Sequence, residues 1–182
     1  MNAANLGRAL AAFQRSLLSN NSPFDRHMRG QRNAMTAAQI HGMQRFQSVG
    51  CVNCHNGPMF SDFKLHVLGV PDNAKRAETD PGFGDAPYAF RTASLRNLRY
   101  TAPYMHSGAF ATLEDVVEFY DDAPENPHVG RRDIDPLVRQ MDDPDDEERA
   151  LLAFLSALND DSFDKTVPAR VPSGLKPGGR IQ

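Results

Sequence analysis

The chain has 182 residues, a single-domain length, and a formal charge of −3. That mild acidity gives no case for nucleic-acid binding, and no apolar run is long enough to span a membrane. The start, Met1-Asn2-Ala3-Ala4-Asn5, lacks the basic and apolar regions of a signal peptide.

In chain order, the first predicted helix runs from about Ala4 to Leu18. Leu6, Leu10, Phe13 and Leu17 recur at helical spacing and form one apolar face. Asn20-Asn21-Ser22-Pro23 ends it. A second helix starts at Thr36, with Gln39 three residues later completing a capping box. Ile40, Met43 and Phe46 form its buried side.

That helix leads into Cys51-Val52-Asn53-Cys54-His55, a C-x-x-C-H pentad, which is the spacing of covalent c-type haem attachment. The two thiols would add to the haem vinyl groups and His55 would supply the proximal imidazole. The bland readings explain less. A zinc site wants four ligands, and no second C-x-x-C pair exists. A thioredoxin-like motif would follow a strand in a βαβ pattern, and none is visible. A local disulfide leaves the adjacent histidine unexplained. Haem attachment of this kind belongs to the periplasmic side in bacteria, so a leader is expected elsewhere: the chain is a mature form or a fragment.

Residues 56 to 111 are rich in Gly and Pro without a sustained period. A loop of that length counts against a compact domain unless a macrocycle supplies apolar area for it to wrap. A third helix begins at Thr112, with Asp115 in its first turn. Leu113, Val116, Val117 and Tyr120 share one face. A fourth helix, from about Pro144 to Leu158, carries the stripe Leu151, Phe154, Leu155 and Leu158. Asp142, Asp143, Asp145, Asp146, Glu147 and Glu148 open it, where carboxylates suit the positive end of the dipole. A docking patch for a basic partner is the alternative, although a charge run is more often a solvated face. From Val167 to Gln182 the chain reads as an extended or partly disordered tail. No persuasive strand is visible.

Four stretches resemble the bacterial di-haem cytochrome c peroxidase family, including its MauG-type branch. They are Asn21-Ser22-Pro23-Phe24-Asp25-Arg26, the segment from Gly50 to Pro58 around the pentad, the pair Phe90 to Leu98 and Thr101 to Gly108, and Thr112 to Tyr120. The resemblance is to the C-terminal half, since the family has two C-x-x-C-H sites and this chain has one. It implies an all-α cytochrome c-type domain wrapped around one covalent haem c, with long irregular loops. Residues 1–30 would be an N-terminal helix and crossover from a missing first haem domain, 31–160 the haem domain and 161–182 an extended tail. The implied partners are a second haem domain, in a missing N-terminal half or a separate chain, and an electron-donor or substrate protein. The implied compartment is the periplasm, and the implied role is electron relay to or from a peroxide-reacting haem. A free-standing mono-haem electron carrier is the alternative.

The family resemblance also bears on the distal iron ligand. The peroxidase branch has methionine where this chain has Tyr120, and the MauG-type branch has tyrosine. The resemblance therefore implies a His55/Tyr120 haem, with Met105 as rival. On periodicity alone, Tyr120 reads as a core tyrosine with a satisfied hydroxyl. A thioether raises the reduction potential, whereas an anionic phenolate stabilises ferric iron. His106 is expected to bond a propionate or the loop backbone rather than iron. His27, His41, His66 and His128 read as surface or structural residues. Arg91 and Arg96 are candidates for propionate pairing. Thr101 and Pro103 match positions whose backbone carbonyls bind an interdomain calcium in the family. Carbonyl oxygen suits that ion, and the family's remaining protein ligand lies in the other half.

Overall fold

Local signals set most of the helix starts. The structure, a computed structural model, describes residues 2–121, 128–142, 147–163 and 169–174. Helix α1 spans Ala3–Ser16 and is capped by the Asn2 side chain. Helix α2, Pro23–Met28, has a capping box between Ser22 and Asp25, with proline at its first position. Helix α3, Ala37–Ser48, carries the expected Thr36–Gln39 capping box. Helix α4, Leu113–Asp121, has the same reciprocal arrangement between Thr112 and Asp115. Helix α5 is the single turn Pro136–Arg139, capped by Asp135. Helix α6, Glu148–Ser156, is shorter than the pattern predicts, and Asp143, Pro144, Asp145 and Asp146 lie outside the described residues. Of residues 164–182, only 169–174 are described.

The all-α expectation is too narrow. Two short antiparallel ribbons lie in the long loop: β1 (Leu65–Val67) with β4 (Ala89–Arg91), and β2 (Gly82–Phe83) with β3 (Ala86–Pro87). In the first ribbon Leu65 faces Arg91, His66 faces Phe90 and Val67 faces Ala89. Strands of two or three residues carry too little alternation to stand out in sequence, and the partners in the first ribbon are more than twenty positions apart.

The core is an aromatic cluster where α2, α3, α6 and the loop after the pentad converge. Phe24 meets Phe60 edge-on at 5.1 Å and Phe154 at 5.9 Å, and Phe46 meets Phe154 at 5.1 Å. Such geometry suits ring quadrupoles. Val49, Leu151, Ala157 and Leu158 fill the remaining space. Helices α3 and α6 cross at Gly42, where a Cβ would lie 1.8 Å from the Ala150 carbonyl oxygen. Only glycine permits that approach. Helix α2 is tied to the loop after the pentad through Arg96. Its guanidinium binds Asp25 bidentately at 2.9 Å for each bond, and its Nε donates to the Pro58 carbonyl at 2.7 Å.

Helix α1 packs differently. Leu6, Leu10, Phe13 and Leu17 do form one stripe, but each is more than half exposed and no residue of the helix is buried. Their spacing of four, three and four is that of a helix-packing seam. A 14-residue helix with no buried face is marginal in water by itself.

Candidate haem site

Helix α3 delivers the pentad through Gly50. This residue adopts φ +99°, a left-handed conformation that lets the chain leave the helix and enter a 3₁₀ turn at Cys51–Asn53. Cys51, Cys54 and His55 then line one cavity of about 450 Å³, within the range of cofactor pockets. The cavity is also lined by Leu95, Leu98, Leu113, Val116, Val117, Tyr120, Leu151 and Leu155. The predicted face of α4 thus lines the same cavity as the pentad.

His55 is oriented by a backbone carbonyl. Its Nδ1 lies 2.9 Å from the Phe60 oxygen, which fixes the proton on Nδ1 and leaves Nε2 as the lone-pair nitrogen. Phe60 aims that carbonyl from a left-handed conformation, φ +51°, which is costly for an aromatic residue. The buried ring, locked among Phe24, Phe46 and Phe154, holds it there. Burial lowers the His55 pKa, with the Phe60 and Ala93 carbonyls opposing, so the imidazole is neutral and fit to ligate. Burial pushes the Cys51 and Cys54 thiols up to about 11, and the two cysteines are not joined in a disulfide. Both remain neutral thiols at ordinary pH.

Tyr120 and Met105 reach the same cavity. Burial drives the Tyr120 phenol well above its ordinary value, and its hydroxyl has no hydrogen-bond partner among the described residues. A phenol in that position ionises only against a cation. Met105 occupies a left-handed backbone conformation, φ +66°, in the loop after Thr101. His106 stacks on Phe90, ring centroids 3.5 Å apart and 14° from parallel. Arg91 lines the cavity and lies over the Phe63 ring at 5.6 Å, whereas Arg96 is committed to Asp25 and Pro58 instead of the cavity. Thr101 and Pro103 lie at the exposed end of the cavity lining. Neither of their carbonyl oxygens accepts a hydrogen bond among the described residues.

The residues present fit a covalently held haem. Two neutral thiols and a tautomer-fixed imidazole share an apolar cavity with an unpartnered phenol. Sequence reasoning missed two contributors. One is Phe60, whose role is a backbone conformation. The other is His66, which is buried between two carboxylates: Nδ1 is 2.7 Å from Asp135 and Nε2 is 2.9 Å from Asp62. Nothing in local spacing links positions 62, 66 and 135.

The fold is that of MauG-like di-haem peroxidases, as comparisons with known proteins show. A family model described as di-haem cytochrome c peroxidase matches residues 1–33, covering α1 and α2 but not the pentad. The chain is 35% identical to the cytochrome-c peroxidase IdrP1 of Pseudomonas sp. (strain SCT), over 84% of this chain and 48% of that protein. It is 34% identical to the methylamine utilization protein MauG of Methylorubrum extorquens, over 88% of this chain and 45% of that one. A solved MauG-like protein associated with microbial copper homeostasis superposes with a TM-score of 0.71 at 30% identity, covering 85% of this chain and 52% of that one. The chain belongs to the di-haem cytochrome c peroxidase and MauG family, and it spans about half the length of the curated relatives it matches. Among the described residues no helix is long and apolar enough to cross a membrane.

Proposed function

We propose that the chain is the electron-transfer haem half of a peroxidase-type oxidoreductase, acting in the periplasm beside a second, peroxide-reacting haem domain. One observation carries the reading. Cys51, Cys54 and His55 share a cavity with Tyr120, and His55 is held in the tautomer that leaves Nε2 free. Cys51 and Cys54 would hold the macrocycle through thioethers, and His55 would be the proximal ligand. Bound there, the haem supplies one-electron redox chemistry.

The chain's own residues do the rest. The Phe60 carbonyl orients His55, and the leucine and valine side chains of α4 and α6 keep water from the macrocycle faces. Tyr120 would donate its oxygen on the distal side, with Met105 as the rival. The half-buried position of Tyr120 on the cavity wall, with its hydroxyl unpartnered among the described residues, supports Tyr120. The free carbonyls of Thr101 and Pro103 support a calcium contribution completed from the other domain.

Residues 1–30 we read as the crossover from the first haem domain, with 31–160 as the haem domain and 161–182 as the tail. The exposed seam of α1 and the family match confined to residues 1–33 support that division. The presence of a single pentad favours a second reading, a mono-haem electron carrier without catalysis of its own. Denaturing mass spectrometry tests the haem directly. The expected mass is the chain plus one haem, and loss of haem on denaturation refutes covalent attachment. Addition of peroxide to the haem-loaded chain separates the roles, because turnover that needs a second haem domain supports the first reading. Fast one-electron exchange with no peroxide activity under any pairing supports the carrier.

A further inference from the structure

Asp62, His66 and Asp135 form a charged cluster, centred on the buried His66 with Asp135 half-buried, against the haem site that the proposed chemistry does not use. His66 sits on β1 at 7% exposure and presents both ring nitrogens to carboxylate oxygens, 2.7 Å to Asp135 Oδ2 and 2.9 Å to Asp62 Oδ2. A neutral imidazole has one N–H and one lone pair. Ionised carboxylates only accept, so satisfying both contacts requires an imidazolium that donates twice. The remaining carboxylate oxygens are already served by neutral donors. Asp62 Oδ1 accepts from the Thr92 hydroxyl at 2.7 Å and from the Lys64 backbone N–H at 3.0 Å. Asp135 Oδ1 accepts from the Leu137 N–H at 2.8 Å, capping α5. The cluster therefore holds two negative charges and one positive.

Its position couples it to the pentad. The Sγ of Cys54 lies within 4.8 Å of the Asp62 and His66 ligand atoms, and His66 lines the same cavity as His55. The Asp62 N–H donates to the Cys54 carbonyl at 2.8 Å, in the same loop that carries the Phe60 carbonyl to His55. A metal ion would accept the spacing of Cys54, Asp62 and His66. However, both His66 nitrogens are already donating, and a thioether would occupy Cys54.

We propose that Asp62–His66–Asp135 is a charge-setting and positioning device for the haem, in which His66 offsets one of two carboxylates and leaves a net negative charge beside the Cys54 attachment. A fixed negative charge at that distance in a low-dielectric surrounding favours the more positive ferric state and lowers the reduction potential. The inference rests on the haem reading above.

The test uses the haem-loaded chain, with attachment verified first by denaturing mass, so that failure of the haem reading shows as missing haem rather than as an altered potential. Potentials are measured by redox titration at pH 6, below the ordinary histidine pKa of about 6.5. Asp135→Asn leaves a neutral cluster and should raise the potential. His66→Gln leaves two uncompensated carboxylates and should lower it. The double variant restores one net negative charge and should return toward the wild-type value. A purely structural role moves both single variants in the same direction, and that result overturns the proposal, as does no shift in either. Asparagine caps a helix as well as aspartate does. Asp135→Asn therefore decides alone if His66→Gln does not fold: a rise supports the proposal and an unchanged or lower potential overturns it.

Discussion

Gly42→Ala pits two effects of opposite sign against each other. Helix propensity alone favours alanine over a mid-helix glycine by about 1 kcal/mol. The structure opposes this. A Cβ at position 42 would lie 1.8 Å from the Ala150 oxygen, 2.7 Å from its carbonyl carbon and 2.9 Å from the Phe154 Cβ, whereas ordinary contact begins at 3.4 Å. Relieving the worst contact needs a separation of 3.4 − 1.8 = 1.6 Å between α3 and α6. Two of the obstructing atoms are backbone, so no rotamer change can relieve them. The crossing also carries Phe46, Leu151 and Phe154 of the core. Overpacking in a core costs about 1–3 kcal/mol, and a backbone obstacle belongs at the upper end of that range. The net expectation is a loss of about 2 kcal/mol after the propensity gain is subtracted. Urea denaturation reads this as a lower midpoint with an unchanged slope. Because α3 runs directly into the pentad, the haem spectrum should shift as well. A midpoint equal to or above wild type would show that the helices do not approach as described.

The distal assignment predicts that Tyr120→Phe leaves the iron five-coordinate or open to water, while Tyr120→Met raises the potential. Met105→Leu should do neither, at a packing cost within about 1.5 kcal/mol. Loss of six-coordination in Met105→Leu, with an unchanged spectrum in Tyr120→Phe, reverses the ligands. The Asp62 cluster predicts a stability window. Burial would raise the Asp62 pKa, but the Thr92 hydroxyl, the Lys64 N–H and His66 together bring it down to about 2. Its contribution is therefore complete above the unfolded carboxylate value and lost as pH falls from about 4 toward 2. It is on the order of 1–2 kcal/mol, read as a falling thermal midpoint that Asp62→Asn flattens. His66 is raised despite burial because Asp135 and Asp62 bind it, so its contribution is lost as pH rises through its elevated value. Calcium chelation should perturb the haem spectrum only when both haem domains are present. Tight stoichiometric calcium binding by the chain alone would refute a shared site at Thr101 and Pro103.

Much of the site was legible in the sequence because its signals are local. The pentad sets its two thiols and its imidazole within five consecutive positions. The capping boxes at Thr36 and Thr112 each join residues three apart, and the α4 face that carries Tyr120 repeats every turn. For such features the chain supplies both partners within one turn of backbone, so residue type and spacing suffice. The apolar stripe of α1 was equally legible, yet its burial was not. Leu6, Leu10, Phe13 and Leu17 are exposed, because periodicity defines a face without saying what covers it.

What tertiary structure alone decided depends on residues far apart in the chain. Phe60 takes its left-handed conformation because a buried aromatic cluster holds its ring, and that conformation aims the carbonyl at His55. Arg96 goes to Asp25, 71 positions away, although an arginine in its place in the sequence suits a propionate equally well. His66 reads as an isolated histidine until folding brings Asp135, 69 positions away, against it. Gly42 looks like a weak point in a helix until α6 lies across it. Sequence spacing encodes what a chain does within a turn or two. Which charges meet, which glycine is irreplaceable and which carbonyl orients His55 follow from packing between segments whose separation carries no periodic signal.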